Sequence, residues 1–202
     1  MKNSYKTLKY NSKARWLSYW YQISEVVSAR PGDVLIIGKG SGIVEKALEE
    51  FLPDVRLTTM DIDETLQPDI VSDIRSMPFG DNSFDVILCC QVLEHIPFDD
   101  VEGVIRDFQR ITRDRVIISV PHKRKYVKIE IDLPLIGNKR AILKYPFNKK
   151  DIKSRQHHWE INRGVSYKDF KRLLKGYFVI EKTFLNEINC VHRFFVLRKT
   201  RG

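Results

Sequence analysis

The chain has 202 residues, 43% of them hydrophobic, and carries 35 Lys or Arg against 26 Asp or Glu, a net charge of +9. This suits one globular domain with a sizeable core; no apolar run approaches the ~20 residues of a membrane span, and the opening Met1-Lys2-Asn3-Ser4-Tyr5-Lys6 leads into no apolar signal core. Three cysteines, with Cys89 and Cys90 adjacent, suit neither a disulfide framework nor a zinc site, so free buried thiols, a cytoplasmic setting and no metal are expected.

Residues 13–29 read as an opening helix. Trp16, Trp20, Ile23 and Val27 recur at helical spacing as its apolar face, and Tyr19 or Tyr21 can reach a neighbouring site. Pro31-Gly32-Asp33 ends it. Val34-Leu35-Ile36-Ile37 then forms a strand buried on both faces, as a parallel sheet requires. Gly38, Gly40 and Gly42 follow at alternate positions, where chain without Cβ atoms can turn sharply against a ligand. A helix near 41–51 places Ile43, Val44, Ala47, Leu48 and Phe51 on one face. Strand, glycine turn and helix make a nucleotide-type binding unit. A dinucleotide fingerprint would put its third glycine at 43, where this chain has Ile43. The second strand, 55–61, ends at Asp61, a carboxylate able to accept both ribose hydroxyl protons. Further strands near 69–71, 84–90 and 115–120 and a helix near 99–111 continue a β/α alternation, hence a parallel sheet.

Residues 122–165 interrupt that alternation. Eleven Lys or Arg between His122 and Arg155 face three acids, Glu130, Asp132 and Asp151, a local net of +8. Such a field attracts anions. Ile129, Ile131, Leu133, Leu135 and Ile136 point to a small hairpin around Pro134 to Asn138. A long segment at the carboxyl edge of the sheet reads as a substrate cap. Beyond it, Ser166 reads as an N-cap with Asp169 three residues on, before a helix carrying Phe170, Leu173 and Leu174 that stops at Gly176. Two strands, Tyr177 to Leu185 and Val191 to Arg198, close the chain as an antiparallel hairpin.

The G-x-G-x-G at 38–42 combines with Asp61, with the run Asp73-Ile74-Arg75-Ser76-Met77-Pro78-Phe79-Gly80-Asp81-Asn82-Ser83-Phe84-Asp85-Val86-Ile87, and with Val92-Leu93-Glu94-His95-Ile96. In order and spacing these resemble class I S-adenosylmethionine-dependent methyltransferases of the small-molecule, methyltransferase type 11-like branch, over roughly residues 30–121. The resemblance implies an α/β fold: a Rossmann-like seven-stranded, mostly parallel sheet with helices on both faces and a C-terminal antiparallel β-hairpin. One domain, 1–202, would then comprise the opening helix (13–29), a cofactor-binding core (30–121), the basic cap (122–165) and the final helix and hairpin (166–202). It also implies S-adenosyl-L-methionine as cofactor. Gly38, Lys39, Gly40 and Gly42 would line its methionine end. Asp61 and Ile62 would meet the ribose, Asp73 and the Ile74 backbone the adenine, and Gln91 the methionine part. Where the family usually has an acid two residues before the first glycine, this chain has Ile36. Lys39 replaces a small residue and is expected to run out to solvent. Glu94 and His95 are expected to orient the next helix rather than do chemistry.

Methyl transfer to a hydroxyl usually needs a base. His157-His158-Trp159-Glu160 offers two imidazoles, a carboxylate and an aromatic wall, and the H-x-W-E segment resembles one in methyltransferases of glycan modification. His157, His158 and Glu160 are therefore the base candidates, and the acceptor a small molecule or glycan, with anionic ones suited to the basic cap. The alternative is a methyltransferase-like fold that binds a partner or nucleic acid through that cap, or an RNA methylase. The Asn/Asp-Pro-Pro-Tyr box of many base amino-methylases is absent: Leu88-Cys89-Cys90-Gln91 stands there. Oligomeric state is not written in the sequence.

Overall fold

The computed structural model describes residues 5, 7–123, 126–133, 137–144, 156–188 and 191–200, with 126–133 and 137–144 as backbone. In chain order the elements are α1 (Lys13–Ala29), β1 (Asp33–Ile37), α2 (Ile43–Phe51), β2 (Arg56–Asp61), β3 (Ile70–Val71), β4 (Phe84–Cys90), α3 (Phe98–Ile111), β5 (Thr112–Pro121), β6 (Tyr126–Leu133), β7 (Gly137–Lys144), β8 (Glu160–Ile161), β9 (Gly164–Val165), α4 (Tyr167–Lys175), β10 (Phe178–Leu185) and β11 (His192–Lys199). Seven strands form one sheet in the order β10-β11-β5-β4-β1-β2-β3. β11 runs antiparallel to both of its neighbours, and the remaining pairings are parallel.

The unbroken apolar run of β1 follows from a sheet covered on both sides. Val34 and Ile36 face α1 and α2, packing with Tyr19, Val26, Val44 and Leu48. Leu35 and Ile37 face the layer of α3 and α4, with Val104, Ile105, Phe108 and Phe170. Phe108 is fully buried there; truncating it to Ala would cost about 3–5 kcal/mol. At the amino ends of β1 and β4, Asp85 accepts from the Gly32 and Asp33 N–H groups (2.7 and 3.0 Å) and from Arg113 Nε (2.6 Å). Arg113 also pairs with Asp33. This clasp fixes the end opposite the glycine turn.

The fold class, the seven-stranded sheet and the terminal hairpin agree with expectation, while two helix faces do not. On α1 the buried residues are Ser18, Tyr19, Glu25 and Val26, and Trp16 and Trp20 are 51% and 59% exposed. The inward face of α1 is polar because it meets the terminal hairpin and its turn: Asn186 Nδ2 donates to Ser18 Oγ (2.7 Å) and Lys182 pairs with Glu25 (2.7 Å). On α2 the buried residues are Val44 and Leu48, and Phe51 is exposed.

Within the cap, β6 and β7 pair antiparallel from Tyr126↔Lys144 to Leu133↔Gly137, as the expected hairpin. Its connection at 134–136, the basic side chains from Arg124 to Arg155, and Cys190 lie outside the described residues. α4 carries the expected cap: Ser166 Oγ accepts from Asp169 N–H (3.1 Å) and donates to Asp169 Oδ2 (2.6 Å). No helix among the described residues is long and apolar enough to cross a membrane.

Candidate functional site

The glycine turn leaves the carboxyl end of β1. Gly38, Gly40 and Gly42 all hold left-handed φ (84°, 56° and 72°), a region costly for side chains with a Cβ. Gly38 is also sterically committed: a Cβ there would stand 2.5 Å from Val92 Cγ2. Its N–H donates to Met60 O (2.8 Å), tying the turn to β2. Lys39 departs from expectation. It does not run to solvent: Nζ donates to Glu45 Oε1 (3.1 Å) and Gln67 O (2.8 Å), and the side chain is only 17% exposed. A carboxylate one helical turn away and an unpaired carbonyl hold the ammonium better than a free excursion into water.

Beside the turn, a recess of about 170 Å³ is lined by Asp61, Ile62, Asp73 and Ile74. Asp61 Oδ1 accepts from Asp63 N–H (3.0 Å); Oδ2 has no hydrogen-bond partner among the described residues. Asp73 is more engaged. Oδ1 accepts from Arg75 N–H (2.8 Å) and Nε (3.0 Å), and Oδ2 from Nη2 (2.7 Å). The Arg75 hydrogen bonds hold the Asp73 carboxyl below its usual range. Oδ2 keeps one lone pair for a ligand donor. Ile62 is 69% exposed and Ile74 is buried, so Ile74 is the firmer wall.

A larger cleft of about 370 Å³ is lined by the glycine turn, the end of β4 and His192 of β11, and shares Gly38, Val92 and His95 with that recess. Gln91 lines it with φ 58°, held by its N–H on Ser119 O (2.8 Å) and by Nε2 on Ser119 Oγ (3.3 Å). Tyr19 reaches in from α1, its hydroxyl donating to Asn11 Oδ1 (2.8 Å) and lying 3.2 Å from Ser41 Oγ; Tyr21 packs instead on Phe184 and Phe194. His192 closes another wall, 3.2 Å from Ser18 Oγ, and burial pushes its pKa down to about 4. Cys89 is a buried thiol, as expected, whereas Cys90 is only half-buried and lines the cleft; burial pushes the Cys90 thiol up to about 12.

The far end of the cleft separates the base candidates. His157 lines it, with Nδ1 2.9 Å from Glu160 Oε1. His158 is exposed and outside it, contributing its N–H to Glu94 O (2.8 Å). Glu160 stands behind His157, also paired with Arg163 at 3.5 Å. Trp159 is not a cleft wall: at 2% exposure it belongs to the core, against Phe98 and Phe170.

Glu94 and His95, expected only to orient the next helix, stand inside the cleft. Both line the cleft, in a single 3-10 turn, Leu93–His95. Glu94 is fully buried, and neither carboxyl oxygen has a hydrogen-bond partner among the described residues. Burial raises its pKa to about 8, with the Glu160 charge adding to it. Glu94 is the one carboxyl among the described residues lining this cleft, and Ile36 lies in the same lining. His95 Nδ1 is 3.0 Å from Gln156 O, and its ring stands 5.1 Å from that of His157. Desolvation lowers the His95 pKa, and the neighbouring His157 adds to this. The signal was present in Leu93-Glu94-His95; what it lacked was the returning segment 156–160 that buries it.

Comparison with known proteins gives one match to a family model, over less than half of the chain, and one shared fold. Residues 35–120 match the methyltransferase domain family. An uncharacterized protein of Methanocaldococcus jannaschii is 28% identical over 104 residues, 49% of this chain and 46% of that protein; the match thus spans under half the relative's length. Among solved structures, a Pyrococcus horikoshii protein superposes with a TM-score of 0.63 at 15% identity, covering 99% of this chain and 100% of that one. The Burkholderia thailandensis 1,6-didemethyltoxoflavin-N1-methyltransferase, solved with 1,6-didemethyltoxoflavin and S-adenosylhomocysteine, gives 0.60 at 15% identity over 94% and 79% of the two chains.

Proposed function

We infer that this chain, whose residues 35–120 match the methyltransferase domain family, is an enzyme that moves a methyl group from S-adenosylmethionine to a small-molecule or glycan-type acceptor. One observation carries this reading. The recess at Asp61 and Asp73 adjoins the cleft that holds Glu94, His95 and His157, the two sharing Ile37, Gly38, Val92 and His95 in their walls. A ligand lying across both would bring its far end to the polar groups of the cleft.

The residues fit the cofactor. Asp61 keeps a carboxylate oxygen for a ribose hydroxyl. Gly38, Gly40, Gly42 and the Lys39 backbone would hold the methionine end, with Gln91 beside it. Asp61 and Ile62 would hold the ribose, Asp73 and Ile74 the adenine. Ile36 offers no charge to the cofactor's ammonium.

The cofactor supplies an electrophilic methyl group. The chain supplies alignment and exclusion of water, which together can lower a barrier by ~7–11 kcal/mol. The acceptor loses its proton at the end of the cleft where His157 stands, with Glu160 fixing the ring. The Burkholderia neighbour, with its small acceptor in place, supports an acceptor of that size.

Calorimetry with S-adenosylmethionine and S-adenosylhomocysteine tests the reading. Saturable binding of both is expected. Absence of heat with either, at protein and ligand concentrations in the millimolar range, would overturn it.

A further inference from the structure

Glu94, His95 and His157 each bring one ligand-capable atom to within 4.8 Å of the other two. Their bonding is organised alike. His95 Nδ1 lies on the Gln156 carbonyl at 3.0 Å, and His157 Nδ1 lies on Glu160 Oε1 at 2.9 Å. Each acceptor oxygen selects the tautomer with hydrogen on Nδ1, so Nε2 keeps its lone pair. Metal-ligating histidines are commonly held this way, by a carbonyl or carboxylate behind the ring. Glu94 completes the set. Its carboxyl is fully buried with neither oxygen bonded among the described residues, an unfavourable state that a partner inside the cleft would relieve. A general base needs one lone pair and one orienting group. This cluster offers two oriented imidazoles and an unpartnered carboxyl group, with their ligand-capable atoms within 4.8 Å of one another.

We propose that Glu94, His95 and His157 bind a divalent first-row transition cation at the acceptor end of the cleft, with its remaining coordination positions turned to an oxygen-bearing acceptor. Two imidazoles and one carboxylate suit Mn²⁺, Fe²⁺, Co²⁺ or Zn²⁺ better than Ca²⁺ or Mg²⁺, which favour all-oxygen shells. The cysteine spacing excluded only a thiolate site, and no thiolate is used here. The role of the cation in methyl transfer rests on the methyltransferase reading; its binding does not. His157 Nε2 cannot ligate and take a proton at once, so with the cation in place its charge, rather than the imidazole, would acidify an acceptor hydroxyl, the proton passing to solvent.

The test uses the tag-free chain, stripped with EDTA and titrated with Mn²⁺ alone, followed by the paramagnetic resonance of the free ion. Co²⁺ is titrated in parallel by visible absorption. One equivalent per chain is expected. Glu94→Gln and His157→Gln should each weaken it at least about tenfold, and His158→Gln should bind as the parent does. Circular dichroism and melting establish that each variant is folded; His157→Gln, at a half-buried loop position, serves if Glu94→Gln is not. No stoichiometric binding of either ion, or equal binding by the folded variants, overturns the proposal. Loss of S-adenosylhomocysteine binding would overturn the methyltransferase reading and leave this result standing.

Discussion

Gly38 and Val92 meet so closely that position 38 has no room for a methyl group: its Cβ would lie 2.5 Å from Val92 Cγ2. Gly38→Ala should therefore destabilise the fold by about 1–3 kcal/mol, from strain at φ 84° and from the collision. Adding Val92→Ala should recover the collision part and leave the backbone part. Chemical denaturation of the two variants measures both. A Gly38→Ala protein as stable as the parent would contradict this packing.

Asp61 keeps one oxygen open in the recess. Asp61→Ala should weaken S-adenosylhomocysteine binding by about 1–3 kcal/mol, the usual loss when a charged hydrogen-bond acceptor is removed. Calorimetry on the folded variant gives the answer, and an unchanged dissociation constant would remove Asp61 from the ribose site.

The two adjacent histidines should differ sharply. His157 lines the cleft and His158 does not. His157→Gln should lower methyl transfer by ~10²–10⁴-fold, and His158→Gln should leave it near the parent rate. The readout is S-adenosylhomocysteine formed with an acceptor found by screening. Equal losses in both variants would mean that the cluster only shapes the cap.

Asp85 sets an acid limit on stability. Its bonds from Arg113, then from the Gly32 and Asp33 N–H groups, hold its carboxyl below the usual range. Asn82 and Ser83 carbonyls and Asp33 also bind Arg113, so the cation stays in place. With the folded pKa lowered, the unfolded chain takes up the proton first. The stabilisation is thus complete above the unfolded value of ~3.9 and is lost as pH falls through the folded one. Asp85→Asn should be less stable than the parent at pH 7, and the gap should narrow toward pH 3. Urea midpoints across that range check it; a gap of constant size would assign the effect to packing.

The basic segment after His122 makes a separate prediction. If it recruits an anionic acceptor, acceptor affinity should fall with salt while cofactor affinity changes little. Nucleic acid held there would show log affinity falling linearly with log salt. A gel shift with random RNA distinguishes the two, and equal salt responses of acceptor and cofactor would make the charge merely solubilising.

What could be read from sequence was what short-range chemistry dictates. The apolar run of β1, the alternate glycines and the Ser166–Asp169 cap each follow from neighbouring residues, and all three are present. Trp16 and Trp20 misled because helical spacing identifies an apolar stripe but not what the helix meets; here α1 meets Asn186, Lys182 and His192, and turns Ser18 and Glu25 toward them. Lys39 misled for a similar reason, since its partners Glu45 and Gln67 are set by the following helix and turn. Glu94 was illegible because its burial is made by chain some sixty residues away, where His158 N–H and the Gln156 carbonyl close over the Leu93–His95 turn.

The placement of β11 has a consequence for how the protein is made. This strand, synthesised after the other strands of the sheet, is sandwiched between β5 and β10 rather than added at a border, and Phe194, Phe195, Val196 and Leu197 are wholly buried. Until residues 192–199 emerge, β5 presents a bare row of amide and carbonyl groups and a half-covered apolar surface. The glycine turn, Asp61 and Glu94 all precede it in the chain, so a nascent polypeptide holds the binding residues well before it can close the sheet that steadies them. Vectorial synthesis therefore delays the finished sheet until β11 emerges, and stalled or clipped chains lacking β11 would expose a sticky edge to chaperones and to one another.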